Sequence, residues 1–404
     1  MMGGAIVRIL HINSVPYGST CRVMLGIAQA AQNAGLSCET ASGYSTHPVH
    51  DLPDDHVSIG GAFSKAVHMA LARLTGWNGC FSVFATLRLL RRIRQERYDL
   101  LHLHNLHGWY LHLPLLTRYI KKHRIPVIWT LHDCWAFTGQ CAYYTAIGCE
   151  RWKNGCYACP QKHLYPQSLM DRSRGMYRAK KRWFTSLPDV TLVTPSRWLA
   201  EQVQQSFLQG LPVQVIHNGI DLNAFRPAAD PKQTDLYTVL GVADGWTKRK
   251  GLDVFIELAS RMGEQYQIVL VGTDEHTERL LPDSIVCIRR TQNQSELARL
   301  YRSANVFVNP TYEDNFPTVN LESLACGTPV VAFAAGGSAE CLDESCGMGV
   351  PVGDMDALEA AIRRVCEEKP FTAQSCVKRA KAFDREKTYA AYLALYRQKA
   401  GEPS

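Results

Sequence analysis

Two doubly wound α/β domains are predicted for this chain by three observations. Strand-like apolar runs alternate with helical stretches, the alternation occurs twice, and a polar segment with two prolines separates the two series. At 404 residues, 46% hydrophobic and 20% charged, the chain is long enough for each domain to bury its own core. In the first series Ile6–Ile12, Leu100–His104, Val127–Leu131, Val190–Thr194 and Val213–His217 read as strands. In the second, Tyr237–Gly241, Gln267–Val271, Ile285–Ile288, Val306–Val308 and Val330–Phe333 do so, with helices such as Leu252–Met262 and Ser295–Ser303 between them. The segment Asn223–Asp235 is the expected linker, which divides the chain into 1–222, 223–235 and 236–386, followed by an amphipathic stretch, Lys387–Lys399, within 387–404.

Composition excludes several classes. No apolar run reaches the length of a membrane span, and Ala5–Ile12 reads as a buried strand rather than a signal peptide, so the expected location is the cytoplasm. Fourteen cysteines without an export signal point to reduced thiols or metal ligands, not to a disulfide framework. The net charge is +7, and Arg88, Arg91, Arg92, Arg94 and Arg97 crowd one helical stretch beside Leu87, Leu89, Leu90 and Ile93. Such a helix can rest on anionic lipid at the membrane periphery; the plainer reading is a solvated face. No nucleic-acid-binding motif accompanies the charge.

Chemistry concentrates in Asn305–Glu322. Asn305–Asn309 reads as a short buried strand, Thr311–Phe316 as a polar loop, and Pro317 as the first turn of a helix that Gly327 ends, with a strand at Val330–Phe333. Ligands of open α/β sheets sit beyond the carboxyl ends of strands, where helix N-termini offer N–H groups to anions. Asp314 in that loop and Glu322 in the helix can therefore serve one ligand. Read blandly, the first is a cap and the second a solvated helix residue.

Asp314-x7-Glu322, the turn Gly327-Thr328-Pro329 and Gly336-Gly337-Ser338-Ala339-Glu340 resemble the E-x7-E signature of glycosyltransferase family 4. The resemblance implies a retaining enzyme of GT-B fold, with two Rossmann-like domains facing a cleft and a C-terminal helix crossing back to the first. It implies Asp314 near the donor sugar and Glu322 on the nucleotide ribose. Asp stands where the family has its first Glu, and Asn315-Phe316-Pro317 replaces a glycine-rich step; this Asp-Asn-Phe-Pro variant resembles a capsular and exopolysaccharide subgroup. It further implies a nucleotide-sugar donor, UDP-linked above others, and a lipid-linked or growing glycan as acceptor.

A departing diphosphate needs positive charge and N–H dipoles. Lys248-Arg249-Lys250-Gly251 matches the family's Lys-Gly step, making Lys250 the expected phosphate residue and Arg249 the second. Gly18-Ser19-Thr20, before a helix expected near Cys21, matches a loop that faces the diphosphate. His132, ending the strand Val127–Leu131, takes the place of the family's active-site His, with Asp133 expected to orient its ring. His102, His104 and His107 tempt a metal reading, but alternate residues of one strand supply no third ligand of defined geometry, and a cleft-lining loop is preferred. Asp354-Met355-Asp356 is read as a helix cap, so catalysis is expected to need no divalent ion.

Cys141, Cys149, Cys156 and Cys159 have the spacing C-x7-C-x6-C-x2-C within an insert at 134–160. The last pair has the two-residue spacing that suits one tetrahedral zinc, which would fold a loop with little core of its own. Reduced thiols packed as small apolar groups are the alternative, and Cys134 is a further candidate ligand. Two rival functions remain at this stage: a sugar-nucleotide epimerase of similar fold, and a non-catalytic zinc-binding scaffold.

Overall fold

The computed structural model describes residues 7–46, 52–228 and 235–401. Ile6 of the expected first strand and 229–234 of the expected linker lie outside the described residues. The chain forms two compact units, one of Met1–Ile216 with Tyr389–Ser404, the other of His217–Thr388.

Unit 1 is built on seven parallel strands: β1 (Arg8–Asn13), β2 (Ser37–Gly43), β3 (Val57–Ile59), β4 (Leu100–Leu103), β5 (Val127–Thr130), β6 (Val190–Thr194) and β7 (Val213–Val215), in the order β3-β2-β1-β4-β5-β6-β7. Strands β4, β5 and β6 are buried at every residue, as expected where both faces are covered. Their Leu, Val, Ile and Trp side chains account for the apolar runs seen in sequence. Strand β2, SCETASG, escapes a hydrophobicity reading because it is polar, yet its last four residues are buried. The helix Arg385–Ala400 brings Tyr392, Leu395 and Tyr396 onto Ile9, Leu100 and Ile128 of this unit.

Unit 2 has six parallel strands: β8 (Tyr237–Val242), β9 (Tyr266–Val271), β10 (Ile285–Ile288), β11 (Val306–Asn309), β12 (Val330–Phe333) and β13 (Gly347–Val350), in the order β10-β9-β8-β11-β12-β13. Strand β13, GMGV, was not foreseen, since its glycines give no periodic signal. Residues 217–228 belong to this unit: Ile220 donates its N–H to the Phe383 carbonyl at 2.8 Å, and Phe225 is buried in its core.

Strand order reverses between β1 and β4 in unit 1 and between β8 and β11 in unit 2. At such switch points the connections leave in opposite directions and open a crevice beyond the strand ends. The residues singled out in sequence follow β1, β5, β8 and β11.

Candidate active site

In unit 2 the chain leaves β8 into a short 3-10 turn, Lys248–Lys250, and enters the helix Leu252–Arg261 through Gly251 at φ 82°. A side chain at Gly251 would be strained at that φ and would bring its Cβ within 2.5 Å of the Pro310 carbonyl. This packing sets the basic turn against the loop that follows β11. Lys250 Nζ donates to Asp314 Oδ2 at 2.7 Å, and Arg249 donates to the Glu313 carbonyl at 3.1 Å. Tyr312 returns a backbone bond to the Arg249 carbonyl at 2.9 Å. Asp314 is further held by the Asn315 N–H on its Oδ1, at 2.9 Å, and by the Gly337 N–H on its carbonyl, at 3.1 Å.

The helix that follows, Thr318–Ala325, begins after Pro317, which offers no side-chain cap. Glu322 Oε2 accepts from the buried Tyr301 hydroxyl at 3.0 Å, which orients the carboxylate. Asn315 and Phe316 are buried rather than presented. The Phe316 ring stacks on His217, centroids 4.8 Å apart, and its carbonyl accepts from Asn218 Nδ2 at 3.1 Å. His217 also lies 3.8 Å from Glu340. Tyr301, His217 and Asn218 were not found from sequence, because no spacing links Tyr301 to Glu322, 21 positions on, or Asn218 to Phe316, 98 positions on.

In unit 1 the helix expected near Cys21 starts at Gly18, φ 78°, so Gly18 and Ser19 form its first turn. That turn has no side-chain cap, while Asn13 Nδ2 ties the preceding loop to the Val15 carbonyl at 3.0 Å.

His132 is partly exposed and lines a small pocket with His104, His107, Asp133 and Trp135. Asp133 does not orient it, contrary to expectation: its Oδ2 accepts from His107 Nε2 at 2.8 Å and its Oδ1 from the Trp135 N–H at 2.8 Å. The partner of His132 Nε2 is His104 Nδ1, at 3.0 Å. From there a buried chain continues: His104 Nε2 to His11 Nδ1 at 3.1 Å, His11 Nε2 to the Tyr396 hydroxyl at 3.1 Å, Tyr396 to His102 Nδ1 at 2.6 Å, and His102 Nε2 to Thr130 Oγ1 at 2.8 Å. With one hydrogen per ring this chain closes in two ways. Either Nε2 of His11, His102 and His104 carries the hydrogen, or Nδ1 does, and His132 Nε2 donates in the first case and accepts in the second. Burial holds His11 near 3 and His132 near 4, so these rings are neutral at pH 7.

His11 also supplies the third histidine that the strand reading denied, since it pairs with His102 across β1 and β4. Ligand nitrogens of His11, His102 and His104 lie within 4.8 Å of one another, the one such trio among the described residues. Every ring nitrogen of the three is already hydrogen-bonded, and a cation would have to replace those bonds.

The cysteine insert has more core than expected. Trp152 packs on Phe137 and Tyr144, with centroids 5.2 and 4.9 Å away, and all three are buried. Cys134 hydrogen-bonds Tyr144 instead of joining the cluster. Cys141, Cys149, Cys156 and Cys159 lie close enough to raise the Cys141 thiol pKa through their charges, after burial, but their sulfurs do not reach the 4.8 Å spacing of the histidine trio. The Gly139 N–H donates to Cys156 Sγ at 3.0 Å. Lys180 is fully buried beside Cys156, Cys141 and Asp133; burial draws its ammonium down to about 7 against their opposing pull. Asp354, not Asp356, caps the helix Met355–Glu367, accepting from the Ala357 N–H at 2.9 Å, while Asp356 pairs with Arg261 at 2.6 Å.

Two parallel-sheet units, each with a switch point in its strand order, have the architecture of the GT-B fold. Residues 44–224 match the model of Glycosyltransferase Family 4, and residues 237–368 that of Glycosyl transferases group 1. The chain is therefore a glycosyltransferase carrying both of these family domains. It is 26% identical over 412 residues to the Escherichia coli K12 protein WcaC, named for colanic acid biosynthesis glycosyl transfer, covering 96% of each chain. A D-inositol 3-phosphate glycosyltransferase of Mycobacterium avium is 28% identical over 212 residues, 46% of this chain and 49% of that one. Among solved structures, sucrose-phosphate synthase of Thermosynechococcus elongatus superposes with a TM-score of 0.70 at 19% identity, covering 97% of this chain and 98% of that one. Anabaena HepE in complex with UDP does so with a TM-score of 0.65 at 15% identity, covering 97% and 100%. No described helix is long and apolar enough to cross a membrane.

Proposed function

We propose that this chain transfers a hexose from a UDP-sugar, with retention, to a lipid-linked or growing glycan in exopolysaccharide, capsule or lipopolysaccharide synthesis. The observation that carries the reading is the Lys250–Asp314 contact at 2.7 Å beyond β11, one short helix from a Glu322 fixed by Tyr301. A diphosphate entering beside Lys250 competes for its ammonium and frees Asp314 to accept from sugar hydroxyls. Glu322 takes the ribose hydroxyls, Arg249 assists at the phosphates, and Asn315 and Phe316 shape the loop that carries Asp314. Unit 1 supplies His132 to position the sugar and the N–H groups at Gly18 and Ser19 for phosphate. The acceptor attacks the face that the leaving diphosphate vacates, and the diphosphate takes its proton, so no enzyme nucleophile is required. The likeness to WcaC supports a polysaccharide product, and the UDP held by HepE supports the nucleotide.

The test is mass-spectrometric detection of nucleotide released from a panel of sugar nucleotides, with membrane lipid extract as acceptor source. Acceptor-dependent UDP release, lost in Glu322→Ala and Lys250→Ala, is expected. Donor conversion without acceptor would favour an epimerase, and no turnover or binding of any donor would favour a scaffold.

We propose further that Cys141, Cys149, Cys156 and Cys159 hold a structural zinc. The Gly139 N–H on Cys156 and the adjacent Lys180 favour thiolates, and a bound cation would offset the burial and mutual repulsion that otherwise hold these thiols protonated. Metal analysis of the purified protein is expected to find zinc that Cys156→Ser and Cys159→Ser lose, together with thermal stability. Unchanged metal content and melting would refute it.

A further inference from the structure

The helix Ala62–Thr75 in unit 1 is turned the opposite way from an ordinary surface helix. Its covered side carries His68, whose Nδ1 meets Ser82 Oγ at 2.6 Å, while its outward side is apolar. Phe63 is 83% exposed, Val67 and Leu71 38% each and Leu74 54%, at spacings of four, four and three that place them on one stripe. Ala66 and Ala70 fill the gaps between them. The Ser82 contact sets this helix beside the start of the helix Val83–Glu96, where Phe84 is 80% and Leu87 47% exposed. At its other end the Arg73 carbonyl accepts from the Leu169 N–H at 2.7 Å, which adds the exposed Leu169 and Met170. Large side chains gathered this way are the exception on a protein surface, where exposed apolar residues are ordinarily scattered.

Up to Gln95 the two helices and the turn between them carry charge of one sign. From His56 to Gln95 the sequence holds no carboxylate, but it holds Lys65, Arg73, Arg88, Arg91, Arg92 and Arg94. Arg92 is engaged with Glu39 at 2.6 Å. Arg88, Arg91 and Arg94 are exposed and continue the outward face of the second helix past Phe84 and Leu87. The arginine helix, read from sequence as either a lipid-facing or a solvated surface, is thus the basic border of an apolar face contributed mainly by its neighbour.

We propose that this face docks unit 1 onto an anionic phospholipid bilayer, Phe63, Val67, Leu71, Leu74, Phe84 and Leu87 entering the headgroup–acyl boundary while Arg88 and Arg91 meet lipid phosphates. An apolar stripe bordered by cations is complementary to that surface. A second copy of this chain would set the same uncompensated cations against each other. The surface gives the enzyme access to a lipid-linked acceptor, and in that respect it rests on the function proposed above.

Co-sedimentation of the full-length protein with vesicles of phosphatidylcholine alone and of an equimolar mixture with phosphatidylglycerol tests it. The wild type is expected to bind the mixed vesicles and to spare the neutral ones. The double variant Phe63→Ser, Leu71→Ser should partition about tenfold or more weakly, with circular dichroism unchanged because both positions are exposed. Arg88→Gln with Arg91→Gln should weaken binding and flatten its salt dependence. Wild-type protein that ignores both vesicles, or a double variant that binds as well as wild type, would overturn the proposal. So would a wild-type dimer in gel filtration that the double variant turns into monomer, since the face would then belong to a second copy. Nucleotide release from the donor panel separates the two readings: vesicle binding without turnover would leave the surface and remove the transferase, and turnover without vesicle binding would do the reverse.

Discussion

Lys250, Asp314 and Glu322 of unit 2 sit on two strand-to-helix junctions, with Lys250 64 positions before Asp314, and are held by contacts to each other, to local backbone and to Tyr301. His132 of unit 1 is held through a buried chain whose members lie up to 385 positions apart, from His11 to Tyr396. The first site places formal charge where a ligand can take it. The second keeps neutral rings in fixed orientation, and it draws on a helix from the far end of the sequence to do so. Under the proposed function the units have different work: unit 2 binds through charge, and unit 1 positions through hydrogen bonds.

Kinetics should separate these tasks most strongly. Glu322→Ala and Lys250→Ala are each expected to lower turnover about 10²–10³-fold by removing groups that act on the nucleotide. His132→Ala should lower kcat about 10²-fold while changing KM for the donor little. A His132 variant with full kcat would remove the histidine from the reaction.

Acid should then act on unit 1. His11 has a folded value near 3 and His132 near 4, against an ordinary 6.5, with burial the first cause for both. As pH falls the unfolded chain binds protons first. The stabilisation is complete above about 6.5 and is lost as pH falls from there, down to about 4 for His132 and about 3 for His11. Denaturant unfolding at pH 7 and pH 5, followed by histidine NMR signals of unit 1, should show stability falling with pH, and a flat profile would contradict the burial of neutral rings.

A smaller effect is expected for Tyr396→Phe. It strips a partner from His11 Nε2 and His102 Nδ1 at once, and should cost about 1–3 kcal/mol in denaturant unfolding while leaving UDP affinity unchanged. Tyr301→Phe is the mildest change: Glu322 keeps its charge but loses one donor, so the donor KM should rise about two- to tenfold, measured by initial rates.

The same contrast explains what the sequence could show. Apolar runs such as VIWT and VVAF announced buried parallel strands, and the alternation carried the fold. Strands β2 and β13 were silent because serine, threonine and glycine were buried by their neighbours rather than by their own hydrophobicity. Asp314, Glu322 and Lys250 stood out because strand-to-helix junctions carry them, whereas the Lys250–Asp314 contact, 64 positions apart, had no spacing to announce it. The partners of His132 were not, since hydrogen bonds across β1, β4, β5 and the C-terminal helix leave no spacing to read. Asp133 misled for the same reason: adjacency in sequence implied a bond that the fold gives to His107.

Isothermal titration of UDP into the full-length wild type, Lys250→Ala and His132→Ala tests the division of labour most directly. Loss of a charge-assisted phosphate contact should weaken UDP about 10²-fold in the lysine variant, and the histidine variant should stay within about twofold of wild type. Equal weakening in both, or a greater loss on replacing His132, would contradict the assignment of the nucleotide to unit 2.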